Sequence, residues 1–187
     1  MILRDTVCIP QRDAGAPAEL VPFVPAGSRA LCSVAADLDR DGLYDWVMVT
    51  EPAHDDVGDS AVDDHPRTLL VLLRESGGAL HQAVRNDRVV LCYGCGGSFD
   101  PFDALEAKAG MIKVYHFGGR GWRWRADYTF EYAPAVRTWR LAEVSEVEVH
   151  SGDPDNTMKQ TRRGPRDFGE IDLAGFDPDM LLPPELR

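Results

Sequence analysis

Residues 122–132 read Trp-Arg-Trp-Arg-Ala-Asp-Tyr-Thr-Phe-Glu-Tyr, and this alternation decides the fold class. Every second residue is aromatic or Ala, whereas the residues between them are charged or polar. A period of two residues is that of a β-strand with one buried face. Residues 111–117 and the run around Trp139 show similar patterns, with a hairpin turn at residues 133–135. We therefore expect an all-β protein of compact, twisted antiparallel sheets with little helix.

Shorter segments of β-type composition, bounded by turn residues, precede and follow this region. They predict strands at residues 30–36, 44–50, 68–74, 79–85 and 89–93, and a last edge strand at residues 168–173. Residues 102–109, which follow Asp100-Pro101, are the one short segment that predicts a helix. The charge-rich residues 51–66 and 151–166 are predicted to be loops.

Length and composition bound the domain organisation. The 187 residues suffice for one domain with a buried core. Four prolines within residues 1–29 interrupt any regular ladder, so we expect an extended lead-in there and a single β domain at residues 30–187. No run approaches the roughly 20 apolar residues that span a bilayer, so no transmembrane segment is expected.

The charge balance limits the classes of partner. Lys and Arg number 20 against 31 Asp and Glu, which gives a formal net charge of −11. A protein of this charge repels phosphate backbones, so we expect no nucleic-acid partner. Negative charge favours solubility and fast encounter with a basic protein partner.

The most specific motif is the acidic turn, residues 37–45, whose spacing is D-x-D-x-D-G-x-x-D. Carboxylates at positions one, three and five can converge on one hard cation, glycine at position six permits the sharp turn, and position seven offers its carbonyl oxygen. The predicted Ca²⁺ ligands are Asp37, Asp39, Asp41, the carbonyl oxygen of Leu43, and Asp45. Position twelve is Met48 instead of the glutamate of an EF-hand, so we expect a site between two strands. A solvated acidic turn is the alternative, but four carboxylates in nine residues favour a bound cation with a structural role.

The cysteines are even in number and are candidates for disulfides in an oxidising compartment. They are Cys8, Cys32, Cys92 and Cys95. The pair Cys92-Tyr-Gly-Cys95 is surrounded by glycines, which predict a twisted loop instead of the helix N-terminus of a redox site. The spacing of the four residues fits no zinc ribbon or finger. Their pairing is left open.

A second glycine-rich segment, Gly118-Gly-Arg-Gly121, predicts a hairpin turn that displays Arg120 beside Trp122. Arg and Trp are frequent anchors of protein interfaces, although Trp122 could equally belong to the core of a sheet. Signals for catalysis are weak. The five histidines are scattered, and no serine lies in a nucleophile elbow, so we expect no enzyme.

The order of these motifs resembles a known bacterial family. The acidic turn with Trp-Val-Met-Val is followed by C-x-x-C-G-G-S-F-D-P-F, by H-F-G-G-R-G-W-R-W and by Y-T-F-x-Y. Over residues 30–176 this order is similar to that of the calcium-binding, propeller-like lysozyme-inhibitor and immunity lipoproteins. That family includes immunity proteins against lysozyme-like effectors delivered by type IV secretion systems during interbacterial competition.

The resemblance implies a β-propeller-like fold, a Ca²⁺ ion at the acidic turn, periplasmic localisation and a lipid anchor in the full-length precursor. It implies a lysozyme-like peptidoglycan hydrolase effector as the partner, whose active site is occluded by an inserted loop. The residues that would contact this partner are Tyr93, Ser98, Arg120 and Trp122.

Two other functions remain open on the sequence. A non-enzymatic, calcium-dependent carbohydrate-binding or adhesion module would use the same kind of metal loop without a hydrolase partner. A hydrolase would require a catalytic carboxylate outside the acidic turn, and the abundance of acidic residues singles out no pair.

Overall fold

The structure is a computed structural model that describes residues 6–11, 15–53, 65–97 and 99–181. Within these residues, ten strands form two antiparallel sheets, which confirms the predicted all-β class. No helix in these ranges is long and apolar enough to cross a membrane.

The smaller sheet is a four-stranded meander with the order β2-β3-β4-β5. Its strands are β2 (Ser28–Ala36), β3 (Asp45–Pro52), β4 (Thr68–Arg74) and β5 (Leu80–Asn86). The predicted hairpin of β4 and β5 is confirmed, because the amide of Gly78 donates to the carbonyl of Glu75 in the turn between them.

The larger sheet has six strands in the order β1-β6-β7-β8-β9-β10. They are β1 (Val7–Cys8), β6 (Phe102–Lys108), β7 (Met111–Gly119), β8 (Trp122–Ala133), β9 (Thr138–His150) and β10 (Lys159–Arg163). The long β8–β9 hairpin pairs from Trp122 with His150 to Ala133 with Thr138, as the alternating pattern predicts.

The core lies between the two sheets, because one cluster of buried apolar side chains takes residues from both. On β8, Ala126, Tyr128 and Phe130 are buried, as their alternation with polar residues predicts. The four-stranded sheet is covered on its other face as well. There the 3-10 helix Ala18–Phe23 packs Leu20, which is fully buried, against Met48.

The predicted helix at residues 102–109 is wrong, because residues 102–108 form strand β6. Ala, Leu, Glu and Lys favour helices, but this segment pairs with β1 on one edge and β7 on the other. Leu105 and Ala107 are fully buried in the shared core. Tertiary pairing therefore overrides local propensity here.

The predicted strand at residues 89–93 is also wrong. Val89 and Val90 are buried, but they pack into the core without a strand partner. The reason lies at the end of β5, where the side-chain oxygen of Asn86 accepts hydrogen bonds from the amides of Arg88 and Val89, both at 2.7 Å. This Asx-type turn bends the chain out of the sheet.

The C-terminal predictions need a similar correction. The predicted loop at residues 151–166 contains the edge strand β10, flanked by the short helices α1 (Pro154–Thr157) and α2 (Pro165–Phe168). The predicted edge strand at 168–173 is reduced to one isolated bridge, between Arg140 and Asp172. Strand β10 reads Lys-Gln-Thr-Arg-Arg and has no apolar alternation by which it could be recognised.

Two predictions concern segments that the structure describes in part. The predicted loop at residues 51–66 includes residues 54–64, which lie outside the described residues, while buried Glu51 belongs to β3. In the described part of the N-terminal lead-in, Val7 and Cys8 pair with β6.

Candidate functional site

The acidic turn connects β2 to β3 and brings three of its four carboxylates together. Asp37, Asp39 and Asp45 each place a carboxylate oxygen within 4.8 Å of the other two. The chain reverses through two left-handed residues, Arg40 at φ 65° and Gly42 at φ 91°. The glycine relieves the strain of this conformation at position six, as the motif predicts.

Asp45 anchors the turn to the smaller sheet. Its side chain is fully buried, and its two oxygens accept hydrogen bonds from the amides of Leu38 and Arg74, each at 2.8 Å. Within the turn, Asp37 accepts from the amide of Gly42 at 3.2 Å. The turn is therefore held in shape by amides that point at its carboxylates.

The electrostatics of the acidic turn are unfavourable without a counter-charge. Desolvation raises the pKa of Asp39 and of Asp45, and the charges of neighbouring carboxylates add to the effect. One oxygen of Asp37 is buried and has no hydrogen-bond partner. An all-oxygen set with a buried, unpartnered carboxylate oxygen fits a hard cation such as Ca²⁺.

Two predicted ligands are not part of this cluster. Asp41 is exposed, and one of its oxygens accepts a hydrogen bond from the amide of Leu43 at 2.8 Å. The cluster of mutually close oxygens does not include Asp41. Ligation by Asp41 and by the carbonyl oxygen of Leu43 therefore stays a prediction.

The acidic turn also contacts the larger sheet. The carbonyl of Asp37 accepts from the amide of Gly110 at 2.9 Å, and the indole N–H of Trp139 donates to the carbonyl of Leu38 at 3.1 Å. Gly110 lies in the turn between β6 and β7, and Trp139 lies on β9. A cation in the turn would therefore reinforce the junction of the two sheets.

All four cysteines are paired. Cys8 bonds to Cys32 and so links β1 to β2, one strand from each sheet. Cys92 bonds to Cys95 around the single 3-10 turn Tyr93–Gly96. Because each sulfur is engaged in a disulfide, the cysteines offer no thiolate for a zinc ion.

The second candidate region is the disulfide loop, defined as residues 91–97 and 99–100. Tyr93 is half-buried in the 3-10 turn that the disulfide closes. Phe99 is 59% exposed. Ser98, a predicted partner contact, lies outside the described residues. The structure therefore presents an aromatic loop whose shape is restricted by a covalent bond.

A buried arginine holds the base of the disulfide loop. Arg67 is 1% exposed, and its guanidinium donates to both oxygens of Asp100, with the longer contact at 2.7 Å. It also donates to the carbonyl of Leu91 at 3.2 Å and to Glu51 at 2.8 Å. Arg67 thus joins both ends of the loop to β3.

His116 supports the same base from β7. Its side chain is fully buried, and its Nε2 atom accepts a hydrogen bond from the amide of Leu91 at 3.3 Å. Burial, together with the positive charge of Arg67, lowers the pKa of His116 to about 3. The imidazole is therefore neutral at physiological pH and serves as an acceptor.

The third candidate region is the β7–β8 turn, which presents the predicted residues Arg120 and Trp122. Arg120 is exposed, and Trp122 is 55% exposed with its ring edge-on to His150 at a centroid distance of 5.2 Å. Trp122 is therefore a surface residue and not part of the core. Gly119 has φ 92°, and a Cβ there would lie 2.0 Å from the carbonyl oxygen of Trp122.

The disulfide loop and the β7–β8 turn adjoin. A Cβ on Gly118 would lie 2.9 Å from the carbonyl oxygen of Gly96 and 2.5 Å from the Trp124 ring. Gly118 therefore permits the close approach of both. The two regions that the sequence offers as separate candidates for partner binding therefore adjoin at Gly96 and Gly118, and together they are called the loop surface.

The acidic turn lies at the opposite end of the molecule from this surface. On β3, Asp45 begins the strand and Glu51, which contacts Arg67, is near its end. Strand β7 likewise runs from the Gly110 turn to Gly118. Six residues of extended chain separate the two ends by about 20 Å, so a bound cation would not touch the loop surface.

A surface groove of about 300 Å³ lies beside the β7–β8 turn, between β8, β9 and β10. Its wall combines the indole of Trp124 with the side chains of Glu148, Lys159 and Thr161. The other two polar residues of the groove form ion pairs, Glu146 with Arg163 at 2.8 Å and Arg125 with Asp127 at 2.9 Å. The groove therefore offers an aromatic surface and polar groups of both charges.

Arg67, Asp100 and His116 shape the site and were not among the residues predicted from the sequence. Arg67 follows Pro66 and opens an apolar strand, where an arginine is normally exposed. The only available signal was a charged residue next to the buried run of residues 68–73. Its partners Glu51 and Asp100 are distant in sequence and could not be assigned without the fold.

Comparisons with protein-family models, with curated proteins and with solved structures gave no match. Function must therefore be inferred from the motifs, geometry and charge of the chain itself.

Proposed function

We propose that this protein is an immunity protein or inhibitor that binds a lysozyme-like peptidoglycan hydrolase effector and occludes its active site. The observation that carries the proposal is that the disulfide loop and the β7–β8 turn adjoin, at Gly96 and Gly118. Tyr93 belongs to the first of these connections, and Arg120 and Trp122 belong to the second. In this proposal the protein blocks a reaction and catalyses none.

The disulfide loop suits insertion into a sugar-binding cleft. Tyr93 is an amphipathic ring within a turn closed by the Cys92–Cys95 bond, so it loses little conformational entropy on binding. Arg120 can form a charge-assisted hydrogen bond with a catalytic carboxylate of the hydrolase. Trp122 beside it supplies apolar contact area at the rim.

Charge and disulfides agree with this assignment. A net charge of −11 favours encounter with a basic partner, and a basic hydrolase would meet this requirement. Two disulfides suit an oxidising compartment, which supports a periplasmic location. The four-stranded antiparallel meander β2–β5 is the kind of sheet that forms a propeller blade, which supports the propeller-like part of the proposal.

We also propose that the acidic turn binds one Ca²⁺ ion through Asp37, Asp39 and Asp45. The support is the buried, unpartnered oxygen of Asp37 within an all-carboxylate set. The ion would supply positive charge at the junction of the sheets. Because the turn is about 20 Å from the loop surface, calcium would act through stability and not through contact with the hydrolase.

The test is capture followed by inhibition. The purified protein, immobilised in calcium buffer, is exposed to bacterial envelope and secreted fractions, and a recovered hydrolase is assayed for lysis of cell walls. We expect lysis to fall with added protein, and Tyr93→Ala or Arg120→Ala to weaken this inhibition. Tyr44→Ala, at the acidic-turn end, and Arg162→Ala, an exposed arginine on the edge strand β10, are the matched controls. Unchanged lysis with every recovered hydrolase would refute the proposal.

A second candidate function, a carbohydrate-binding module, is favoured by the groove beside Trp124. An aromatic wall with a hydroxyl, a carboxylate and an ammonium group suits a neutral, polyhydroxylated ligand. Titration with N-acetylglucosamine oligomers, followed by the indole fluorescence, would detect such binding. Glu148→Gln and Thr161→Val should then weaken it, with Glu131→Gln, on the opposite side of β8, as the control. Absence of any saturable signal would exclude this function.

A further inference from the structure

We propose that Arg67 is the positioning residue of the disulfide loop: it fixes the base of the loop so that Tyr93 is held ready for the partner. This inference rests on the proposed function, because it gives the loop its role. Arg67 itself is 1% exposed, so its side chain would not contact a bound hydrolase. Its effect is therefore exerted through the loop alone.

The first arm of this arrangement closes the loop. Leu91 and Asp100 are the two ends of the disulfide loop, and the same guanidinium donates to the carbonyl of one and to both carboxylate oxygens of the other. Asp100 continues the link into the larger sheet, since it accepts from the amide of Phe102 at 3.1 Å. Arg67 is thus the side chain that bridges the two ends directly.

The second arm ties the loop base to the smaller sheet. Glu51 on β3 accepts from Arg67 at 2.8 Å and from Arg29 on β2 at 2.9 Å. The carboxylate is 7% exposed, so this ion pair is shielded from water. The contact with Glu51 therefore orients the guanidinium independently of its contacts with the loop.

Arginine is suited to this task and lysine is not. The planar guanidinium presents a fork of donors that can serve two carboxylates and a carbonyl together, whereas an ammonium group is a single point of charge. The Cys92–Cys95 bond restricts only the tip of the loop, because it spans four residues. The tip and the base are thus held by different interactions, and only the base depends on Arg67.

The experiment loosens the base from each of its two sides. Asp100→Ala removes the loop arm while Glu51 still neutralises Arg67, and Arg67→Lys keeps the charge but loses the fork. Asp103→Ala, an exposed carboxylate three residues further on, is the control for the first variant. Amide hydrogen exchange of Leu91 and Phe102, the two amides at the base of the loop, is measured with no hydrolase present. We expect exchange on the order of tenfold or more faster in both variants, whereas exchange of the β8–β9 amides is unchanged.

Inhibition of the captured hydrolase provides the second readout. We expect the inhibition constant to rise on the order of tenfold in Asp100→Ala and Arg67→Lys, and Asp100→Asn, which retains the acceptor oxygen, to recover part of the loss. Unchanged exchange in the loop would overturn the inference. Faster exchange with unchanged inhibition would overturn it as well. If no hydrolase is inhibited by the parent protein, the proposed function fails, while the exchange measurement still decides whether Arg67 fixes the loop.

Discussion

The acidic turn and the disulfide loop are two irregular connections of similar length, at opposite ends of the same sheets, and they balance their charges differently. In the acidic turn, Asp37 keeps a buried oxygen without a partner. At the base of the disulfide loop, Asp100 and Glu51 both meet Arg67. The carboxylates at the base of the disulfide loop are thus neutralised by Arg67, next to β4, whereas no ion pair among the described residues joins a side chain to Asp37, Asp39 or Asp45. Carboxylates without a side-chain counter-charge are therefore the ones to test for cation binding.

The largest effect should come from replacing Arg67, the arginine that neutralises the carboxylates at the base of the disulfide loop. In Arg67→Met, Glu51 loses its more buried arginine partner and keeps Arg29, while Asp100 loses its ion pair and keeps the amide of Phe102. We expect a loss of about 3 kcal/mol in the free energy of unfolding, at the low end for breaking a buried ion pair, because Asp100 loses its counter-charge while Glu51 keeps Arg29. Urea unfolding measures it, and the exposed Arg123→Met should change the free energy by less than about 0.5 kcal/mol. A loss as small as that of the control would mean that the ion pairs of Arg67 do not stabilise the protein.

Removal of calcium from the acidic turn should have the next largest effect. Calcium at 100 times its dissociation constant should stabilise the protein by about 2.7 kcal/mol relative to a solution with EDTA. Calorimetric melting in the two buffers measures the difference, which should vanish in Asp37→Asn and persist in Asp103→Asn. Equal melting temperatures in EDTA and in calcium would show that the acidic turn is a solvated turn.

The buried, neutral His116 should make the free energy of unfolding decrease at acidic pH. Its pKa is about 3 in the folded protein and about 6.5 in the unfolded chain, so the unfolded chain binds the proton first. The stability that His116 contributes is therefore complete above about pH 6.5 and is lost as the pH falls toward 3. The loss amounts to about 1.4 kcal/mol per pH unit. Urea unfolding at several pH values from 7 to 5 measures this loss, and the free energy of unfolding should fall less steeply with pH in His116→Gln than in the parent protein.

The smallest effect should come from Asp41, the exposed carboxylate of the acidic turn. Without calcium, Asp41→Asn should change the free energy of unfolding by less than about 0.5 kcal/mol, because the amide oxygen can still accept from Leu43. If Asp41 is a ligand, as the motif predicts, the variant should bind calcium more weakly than the parent protein. An unchanged calcium titration would restrict the ligand set to Asp37, Asp39 and Asp45.

The sequence was informative wherever the pattern was local. The alternation of residues 122–132 predicted β8 with its buried face, and the Ser-Gly-Gly turn predicted the β4–β5 hairpin. The prediction failed at residues 102–109, where pairing on both edges overrode helical propensity, and at residues 89–93, where the side chain of Asn86 turns the chain away. Strand β10 has no apolar pattern at all.

The same limit applies to the candidate site. The convergence of Asp37, Asp39 and Asp45 followed from spacing within nine residues. The contact of the disulfide loop with the β7–β8 turn did not, because Gly96 and Gly118 are brought together by the sheets. Arg67 is likewise distant in sequence from Glu51 and Asp100, and buried ion pairs leave no periodic signal in a sequence.

The chain order of the strands bears on how this protein folds. Strands β2 to β5 follow one another in one sheet, and β6 to β10 do so in the other, so most pairings join neighbours in sequence. Strand β1 is the exception, because Val7 pairs with Glu106. Local pairings form faster than distant ones, since short loops cost less entropy to close. We expect the two meanders to gain protection early in pulse-labelling experiments and β1 to dock last, when Cys8 reaches Cys32 on a sheet that is already formed.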